Sequence, residues 1–245
     1  MWMAYLDIRG AYDSVVHPKL WRKLEEAGMN GWMINLLREM YRENRVKIRW
    51  EGQLTEWVEI KRGLRQGCPL SPILFMLYIR ELEKGLEESG VGLDMSVRKG
   101  GVHEEQRIPG LIYADDVVLM ANSREDLQSL LDICAQKAAA LGLEFCNAKS
   151  GVMVFNDLSG GPLTLQGTEV AFVQKYKYLG VWLTANPIYL AEHERLLWEK
   201  TKKYSALMKC RALWAYNRFE VTRMIWKGVM VPGLTFGNAV LCVDA

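Results

Sequence analysis

Apolar and polar positions alternate along the chain in two periods, and the switches between them divide it into strand-like and helical stretches. Trp2–Ile8 is a short apolar run that meets its first charge at Asp7, which reads as a buried strand ending at a carboxylate. His17-Pro18 opens a helix whose stripe is Leu20, Trp21, Leu24 and Ala27 and which Gly28 closes. A second helix over 31–43 carries Met33, Ile34, Leu37, Met40 and Tyr41 at helical spacing. Val46, Ile48 and Trp50 then alternate with Lys47 and Arg49, and a strand over 54–60 follows Glu51-Gly52-Gln53, so a hairpin is expected. Ser71-Pro72 starts a helix to about Glu88, and Ser123 with Asp126 starts another to about Leu141. Residues 100–109 read as a polar connection. Two apolar strands, 111–113 and 117–120, flank Ala114-Asp115-Asp116. Short strand-like runs follow at 144–146, 152–155, 163–165 and 176–183, with Gln166-Gly167 as a turn, and 188–230 is helical again. Trp21, Trp32 and Trp198 sit on helical stripes and are expected to pack in the core.

The fold class expected from this order is α+β, an antiparallel sheet with helices packed mainly on one face, followed by a small helical segment. Pro187 marks the boundary, giving regions 1–184 and 185–245. Between Ile188 and Lys227 nine Lys or Arg face four Glu, so the helical segment is basic while the remainder is close to neutral. The chain as a whole carries 31 Lys and Arg against 29 Asp and Glu, so no bulk charge announces a polyanionic partner, and local patches must be read instead. Five scattered cysteines without a CxxC pair argue against a disulfide framework and for a reducing, intracellular compartment, cytoplasmic or nuclear. No basic stretch followed by an apolar run opens the chain, and no charge-free stretch reaches the ~18–20 residues of a membrane span, so neither secretion nor a membrane partner is expected.

The candidate chemistry is acidic. Asp7 and the adjacent Asp115-Asp116 stand at strand ends. An Asp-Asp pair at a tight turn is by itself an ordinary hairpin tip. Neighbouring carboxylates raise each other's pKa unless a cation lies between them, and hard oxygens beside a third carboxylate suit Mg²⁺, which keeps waters and takes one or two carboxylates plus substrate phosphates.

Order and spacing carry this further. Tyr5-Leu6-Asp7-Ile8-Arg9-Gly10-Ala11-Tyr12-Asp13, then Leu64-Arg65-Gln66-Gly67-Cys68-Pro69-Leu70-Ser71-Pro72, then Tyr113-Ala114-Asp115-Asp116 stand in the order of the palm motifs of reverse transcriptases. Leu141-Gly142-Leu143-Glu144-Phe145 with Lys149-Ser150, and Tyr178-Leu179-Gly180, agree. The set resembles the reverse transcriptases of non-LTR (LINE-type) retrotransposons over about residues 2–184, with a weaker match to a thumb beyond.

The resemblance implies a polymerase palm that adds dNTPs to the 3′-OH of a DNA primer on an RNA template, with two Mg²⁺ ions (Mn²⁺ as a substitute). Asp7, Asp115 and Asp116 would form the catalytic cluster, and the Ile8 carbonyl would supply another metal ligand. Tyr12 would stack under the incoming sugar and exclude a 2′-OH; as a bare residue it also admits the reading of a core aromatic. Gln66 and Gly67 would border the nascent base pair, or form a plain strand-to-helix turn. Arg65 would contact template or phosphate, or only solvent. Lys149 would donate a proton to the leaving pyrophosphate, or stand as a surface lysine. Tyr178, Leu179 and Gly180 resemble a primer grip, and Lys202 and Lys203 would follow a duplex backbone.

Asp13 is expected to hold a helix start and carries no metal in this reading. Only six residues precede Asp7, so the resemblance implies that the fingers region, or the rest of a retrotransposon polyprotein, is a missing partner, and that this chain alone is weakly active or inactive. A non-catalytic nucleic-acid-binding remnant stays open as the alternative, as does a palm with other chemistry, such as RNA-dependent RNA synthesis or nucleotide cyclisation. Tyr12 and Gln66-Gly67 favour deoxynucleotides over the latter.

Overall fold

The structure is a computed structural model that describes residues 1–99, 102–155, 160–186, 188 and 190–236. Its elements are β1 (Trp2–Asp7), α1 (His17–Glu26), α2 (Gly31–Arg42), the short strands β2 (Arg45–Val46), β3 (Arg49–Trp50), β4 (Gln53–Leu54) and β5 (Val58–Glu59), then α3 (Ser71–Glu88), β6 (Leu93–Lys99), β7 (Val102–Ile108), β8 (Gly110–Tyr113), β9 (Asp116–Ala121), α4 (Arg124–Leu141) and β10 (Gly151–Val154). There follow β11 (Thr164–Leu165), β12 (Thr168–Glu169), β13 (Lys175–Tyr178), β14 (Val181–Thr184), α5 (Ala191–Leu213), α6 (Arg218–Ile225), a π-helical turn at Trp226–Met230 and α7 (Val231–Thr235). Two compact units result, Met1–Phe172 and Val173–Ala245. The division falls before the β13–β14 hairpin rather than near 184, because β14 packs on α5. The expected boundary at Pro187 lies outside the described residues.

In the first unit, β10, β1, β9 and β8 form one antiparallel sheet in that order, with β1 and β9 central. Alternation along β1 sends Trp2, Ala4 and Leu6 to one face, where they join Val117, Leu119 and Ala121 of β9 in the buried core. That face is covered by α1, α3 and α4, which contribute Leu20, Leu24, Phe75, Tyr78, Leu82, Leu127, Leu131 and Cys134. The α+β expectation therefore holds, with helices on one face and Asp7 and Asp116 pointing to the other. No helix among the described residues is long and apolar enough to cross a membrane.

Local chemistry explains most boundaries. Ser123 Oγ accepts from the Asp126 N–H at 3.1 Å and caps α4, which ends at Gly142 with φ +81°. Asn30 caps α2 in the same way through the Trp32 N–H. Ser71 is not a cap: it lies inside α3, and its hydroxyl donates to the Arg65 carbonyl at 2.6 Å.

Four expectations change. Residues 102–108, read as a connection, pair with 93–99 as a two-stranded ribbon; Glu104-Glu105-Gln106-Arg107 presents no apolar stripe, so its strand character rests on backbone pairing alone. Residues 144–146 make only an isolated bridge, Ile8 to Phe145. The 45–59 hairpin is broken into two short ladders because the Thr55 hydroxyl takes the Ile48 N–H. Trp32 and Trp198 are 68% and 70% exposed rather than core: α2 buries Ile34, Leu37 and Tyr41, and Trp32 lies on its opposite side.

Leu119 is fully buried on the central strand of this core. Leu119→Ala is expected to lower unfolding free energy by about 2–5 kcal/mol, read as a fall in denaturant midpoint at unchanged slope. Leu54→Ala, on the exposed hairpin, is expected to stay within about 0.5 kcal/mol of the parent.

Candidate active site

The sheet register builds the site. Asp7, last in β1, stands directly opposite Asp116, first in β9. One step further the Ile8 N–H donates to the Asp115 carbonyl at 3.2 Å. The Ile8/Asp115 position is thus hydrogen-bonded and Asp7/Asp116 is the closer, non-bonded kind of pair, with α-carbons about 4.5 Å apart and side chains on one face. Asp115 occupies the second position of a two-residue turn that joins β8 to β9, where Tyr113 faces Asp116. Ala114, before it, has φ +54°, the left-handed conformation such tight hairpins require.

The other flank of β1 is held by residues 144–150. The Arg9 N–H donates to the Glu144 carbonyl and the Cys146 N–H to the Asp7 carbonyl, both at 2.8 Å. Buried Ser150 accepts from the Asp7 N–H at 3.4 Å while its hydroxyl donates to the Cys146 carbonyl. Lys149 brings its ammonium to 3.4 Å from Asp7 Oδ2, with the carboxylate side chain 18% exposed and the lysine 69%. Burial, then the charges of Asp115 and Asp7, push the Asp116 carboxyl above the usual range, and Lys149 opposes this.

A second group adjoins this one in sequence. Tyr12 stacks on core Phe75 at 5.2 Å, and its carbonyl accepts from the Leu64 N–H at 2.8 Å. Gly63, at φ +91°, leaves only 3.1 Å between a built Cβ and the Asp13 backbone, so a glycine permits this loop to close on residues 12–15. Gln66 Nε2 donates to the Asp13 carboxylate at 3.2 Å, and Gly67 follows at φ +80° in open space. Asp13 therefore orients Gln66 and does not hold the helix start: α1 begins after Val16 with no side-chain cap, its first turn set by Pro18. Arg65 is exposed but tethered: its guanidinium donates to the Met40 carbonyl at 2.5 Å and lies over the Tyr41 ring.

Asp7, Ile8, Asp115, Asp116 and Lys149 are thus one cluster, and Tyr12, Gln66 and Gly67 share the neighbouring loop contacts. Tyr178, Leu179, Gly180, Lys202 and Lys203 belong to the second unit. There Leu179 and Gly180, at φ +46° and +86°, form the turn between β13 and β14, and Lys202 and Lys203 are exposed on α5. Among the described residues, no three His, Cys, Asp or Glu side chains converge tightly enough to hold a metal ion by themselves. The donor set still fits a hard dication that takes one or two carboxylates and completes its shell with water and phosphate oxygens. Ser150 and Asp13 escaped the residue-by-residue reading as contributors: each acts through a partner distant in sequence, for which no local pattern exists.

The raised pKa of Asp116 has a sign for stability. Its native form holds a proton more tightly than the unfolded chain does, so stability falls as pH rises through the interval between the unfolded and native pKa values. Asp116→Asn is expected to raise the melting temperature at pH 7 and to lose that advantage below the ordinary aspartate range. An unchanged or lower melting temperature at pH 7 contradicts the assignment.

Comparison with known proteins agrees with these motifs. The family model described as reverse transcriptase (RNA-dependent DNA polymerase) matches residues 1–183. The chain is 28% identical over 194 residues to a retrovirus-related Pol polyprotein of type-1 retrotransposable element R2 from Nasonia vitripennis, covering 74% of this chain and 18% of that protein. It is 26% identical over 243 residues to an R2 Pol polyprotein from Popillia japonica, covering 95% of this chain and 39% of the relative. An RNA-directed DNA polymerase from mobile element jockey of Drosophila funebris is 23% identical over 98% of this chain and 26% of its own length. The chain therefore spans less than half the length of each of these relatives. Among solved structures, apo telomerase from Candida tropicalis aligns over 75% of this chain and 34% of its own, at 17% identity and a TM-score of 0.49. On the match over residues 1–183, the chain belongs to the reverse transcriptase (RNA-dependent DNA polymerase) family.

Proposed function

We propose that the chain carries the palm and part of the thumb of an RNA-directed DNA polymerase of the non-LTR retrotransposon type. The observation that carries this reading is the register that opposes Asp7 to Asp116 and hydrogen-bonds Ile8 to Asp115 at the mouth of the central strands. Members of this family use divalent metal ions. Bound Mg²⁺, two ions in the full site, supplies Lewis-acid activation of the primer hydroxyl and charge balance on the triphosphate. Asp7, Asp115 and the Ile8 carbonyl are the groups that would hold it, and Asp116 would complete the negative field.

The remaining residues act on substrate. The Tyr12 ring, backed by Phe75, is a fixed wall under the incoming sugar that leaves no room for a 2′-OH. Gln66, held by Asp13, keeps its carbonyl oxygen and one amide hydrogen for the nascent base pair, beside the bare backbone of Gly67. The primer 3′-hydroxyl gives its proton to solvent as its oxygen attacks the α-phosphorus, the bond to the bridging oxygen breaks, and pyrophosphate leaves with a proton from Lys149, which solvent then reprotonates and whose ammonium already stands at the cluster. Arg65 braces the 63–67 loop against α2. In the second unit, the Tyr178-Leu179-Gly180 turn and the lysines at 202 and 203 engage the primer end and the duplex backbone through sequence-independent contacts. The RNA template, DNA primer and dNTPs are the partners this reading requires, together with the remainder of a longer polyprotein.

One observation favours a second reading, a palm that binds nucleic acid without catalysis: the protein's own carboxylates do not close around an ion, and Lys149 is paired with Asp7. Incorporation of dTTP on oligo(dT)-primed poly(rA) with Mg²⁺ separates the two. The expected result is weak, template-dependent synthesis that falls to background in the Asp115→Asn/Asp116→Asn double variant. Salt-sensitive template binding with no synthesis, in the presence of the missing polyprotein regions as well, supports the second reading instead.

If synthesis is seen, Tyr12→Ala is expected to raise use of UTP relative to dTTP by roughly 10–200-fold, the range for a steric pocket. The check is the ratio of the two kcat/KM values, and an unchanged ratio refutes the wall.

A further inference from the structure

The helices that cover the palm sheet carry a basic groove that the proposed chemistry does not use. One cavity of about 180 Å³ is lined by Lys19, Arg22 and Lys23 of α1, Glu81 of α3 and Lys137 with the last residues of α4. An adjoining depression shares Lys23 and Glu81 and adds Glu26, Arg80 and Lys84. Six cations therefore face two carboxylates along one continuous groove, a local excess of 6 − 2 = +4, in a chain whose net charge is +2.

Both carboxylates are already engaged. Lys23 sits 2.7 Å from Glu26 and 3.5 Å from Glu81, and Arg22 shares Glu26 at 2.8 Å. Among the described residues, Lys19, Arg80, Lys84 and Lys137 make no ion pair. The negative end of α4, which opens into the groove, is also covered: the Lys19 ammonium donates to the Ala140 carbonyl at 2.6 Å and the Tyr78 hydroxyl to that of Leu141. What remains is positive charge in a concave wall, where the field is focused rather than dispersed.

The shape of the charge names the partner. Lys19 and Lys23, and likewise Arg80 and Lys84, are four residues apart on one helix face, about 6 Å along each axis. The floor offers Ala27, Leu77, Ala140 and Leu141, with no aromatic side chain. A protein partner would find neither the aromatic anchors nor the large apolar core on which protein interfaces depend. A phosphate backbone needs only the cations.

Alternation along β1 sends Leu6 to the helices and Asp7 to the other face, so the groove lies on the opposite side of the palm from the carboxylates. We infer that this groove holds the phosphate backbone of a single-stranded RNA segment remote from the polymerising end. The inference rests on the reading that the chain handles RNA, and adds a second, non-catalytic contact to it.

The test uses the full chain and a fluorescein-labelled 20-nucleotide single-stranded RNA, followed by anisotropy between 50 and 200 mM salt. Arg80→Gln/Lys84→Gln/Lys137→Gln is expected to weaken binding about tenfold or more at 100 mM salt. It is also expected to flatten the slope of log K against log salt by about 2, the share of three phosphate contacts. Glu81→Gln, which removes a carboxylate from the groove, is expected to tighten binding, a gain that misfolding cannot imitate.

Unchanged affinity in the triple variant, with the parent binding RNA, overturns the groove and leaves the proposed function standing. A parent that does not bind RNA overturns both. If labelled poly-glutamate binds the parent as tightly as RNA and loses affinity equally in the triple variant, the groove is an acidic-protein site and the RNA assignment falls.

Discussion

Two like charges held face to face across the centre of a sheet are the constraint from which the rest of the first unit follows. Asp7 and Asp116 repel, and nothing in the strands that carry them relieves the repulsion. What holds them is the hydrophobic register one residue away. Leu6 and Val117 are buried against the helices, and a one-residue slip would expose them while driving both carboxylates into the core. The core residues of α1, α3 and α4 thereby act on the chemistry without touching it: they fix which face each carboxylate must occupy.

The flanking strip 144–150 supplies what the sheet does not. Backbone bonds from Arg9 and Cys146, and the Ser150 hydroxyl between Asp7 and Cys146, fix the end of β1 on the side away from β9. Lys149 then offsets part of the charge. An acidic site in a folded protein lowers stability unless cations accompany it, and one ammonium accompanies three carboxylates here. The arrangement trades stability for a negative field concentrated on this face of the sheet. The same economy is absent from the helical side, where positive charge exceeds negative.

Much of this was legible because it is local or periodic. Trp2–Leu6 is an unbroken apolar run that stops at a carboxylate, Ser123 and Gly142 bracket α4 with the residues that helix ends prefer, and Tyr113-Ala114-Asp115-Asp116 is a hairpin tip on its face. What escaped depends on partners distant in sequence. Gln66 and Asp13 meet only because Gly63 lets the loop close, and no spacing rule links positions 13 and 66. Trp32 has a place on a helical stripe but lies on the side of α2 away from its buried residues, a choice of face that periodicity does not make. The ribbon of β6 and β7 lacks the apolar alternation by which strands are found. The hairpin at 175–184 was assigned to its neighbours in sequence, whereas its packing joins it to α5.

Ala114 sets a limit on how the site can drift over evolutionary time. Its φ of +54° is one that a residue with a Cβ adopts only at an energetic penalty, roughly 1–2 kcal/mol. A β-branched side chain at that position would face a steeper penalty, and a glycine a smaller one, but glycine would also loosen the peptide that points Asp115. Sequence change at position 114 is thus confined to small side chains and to asparagine or aspartate, which bond their own backbone. The Asp115 carboxylate beside it inherits its direction from a residue that has no chemistry of its own.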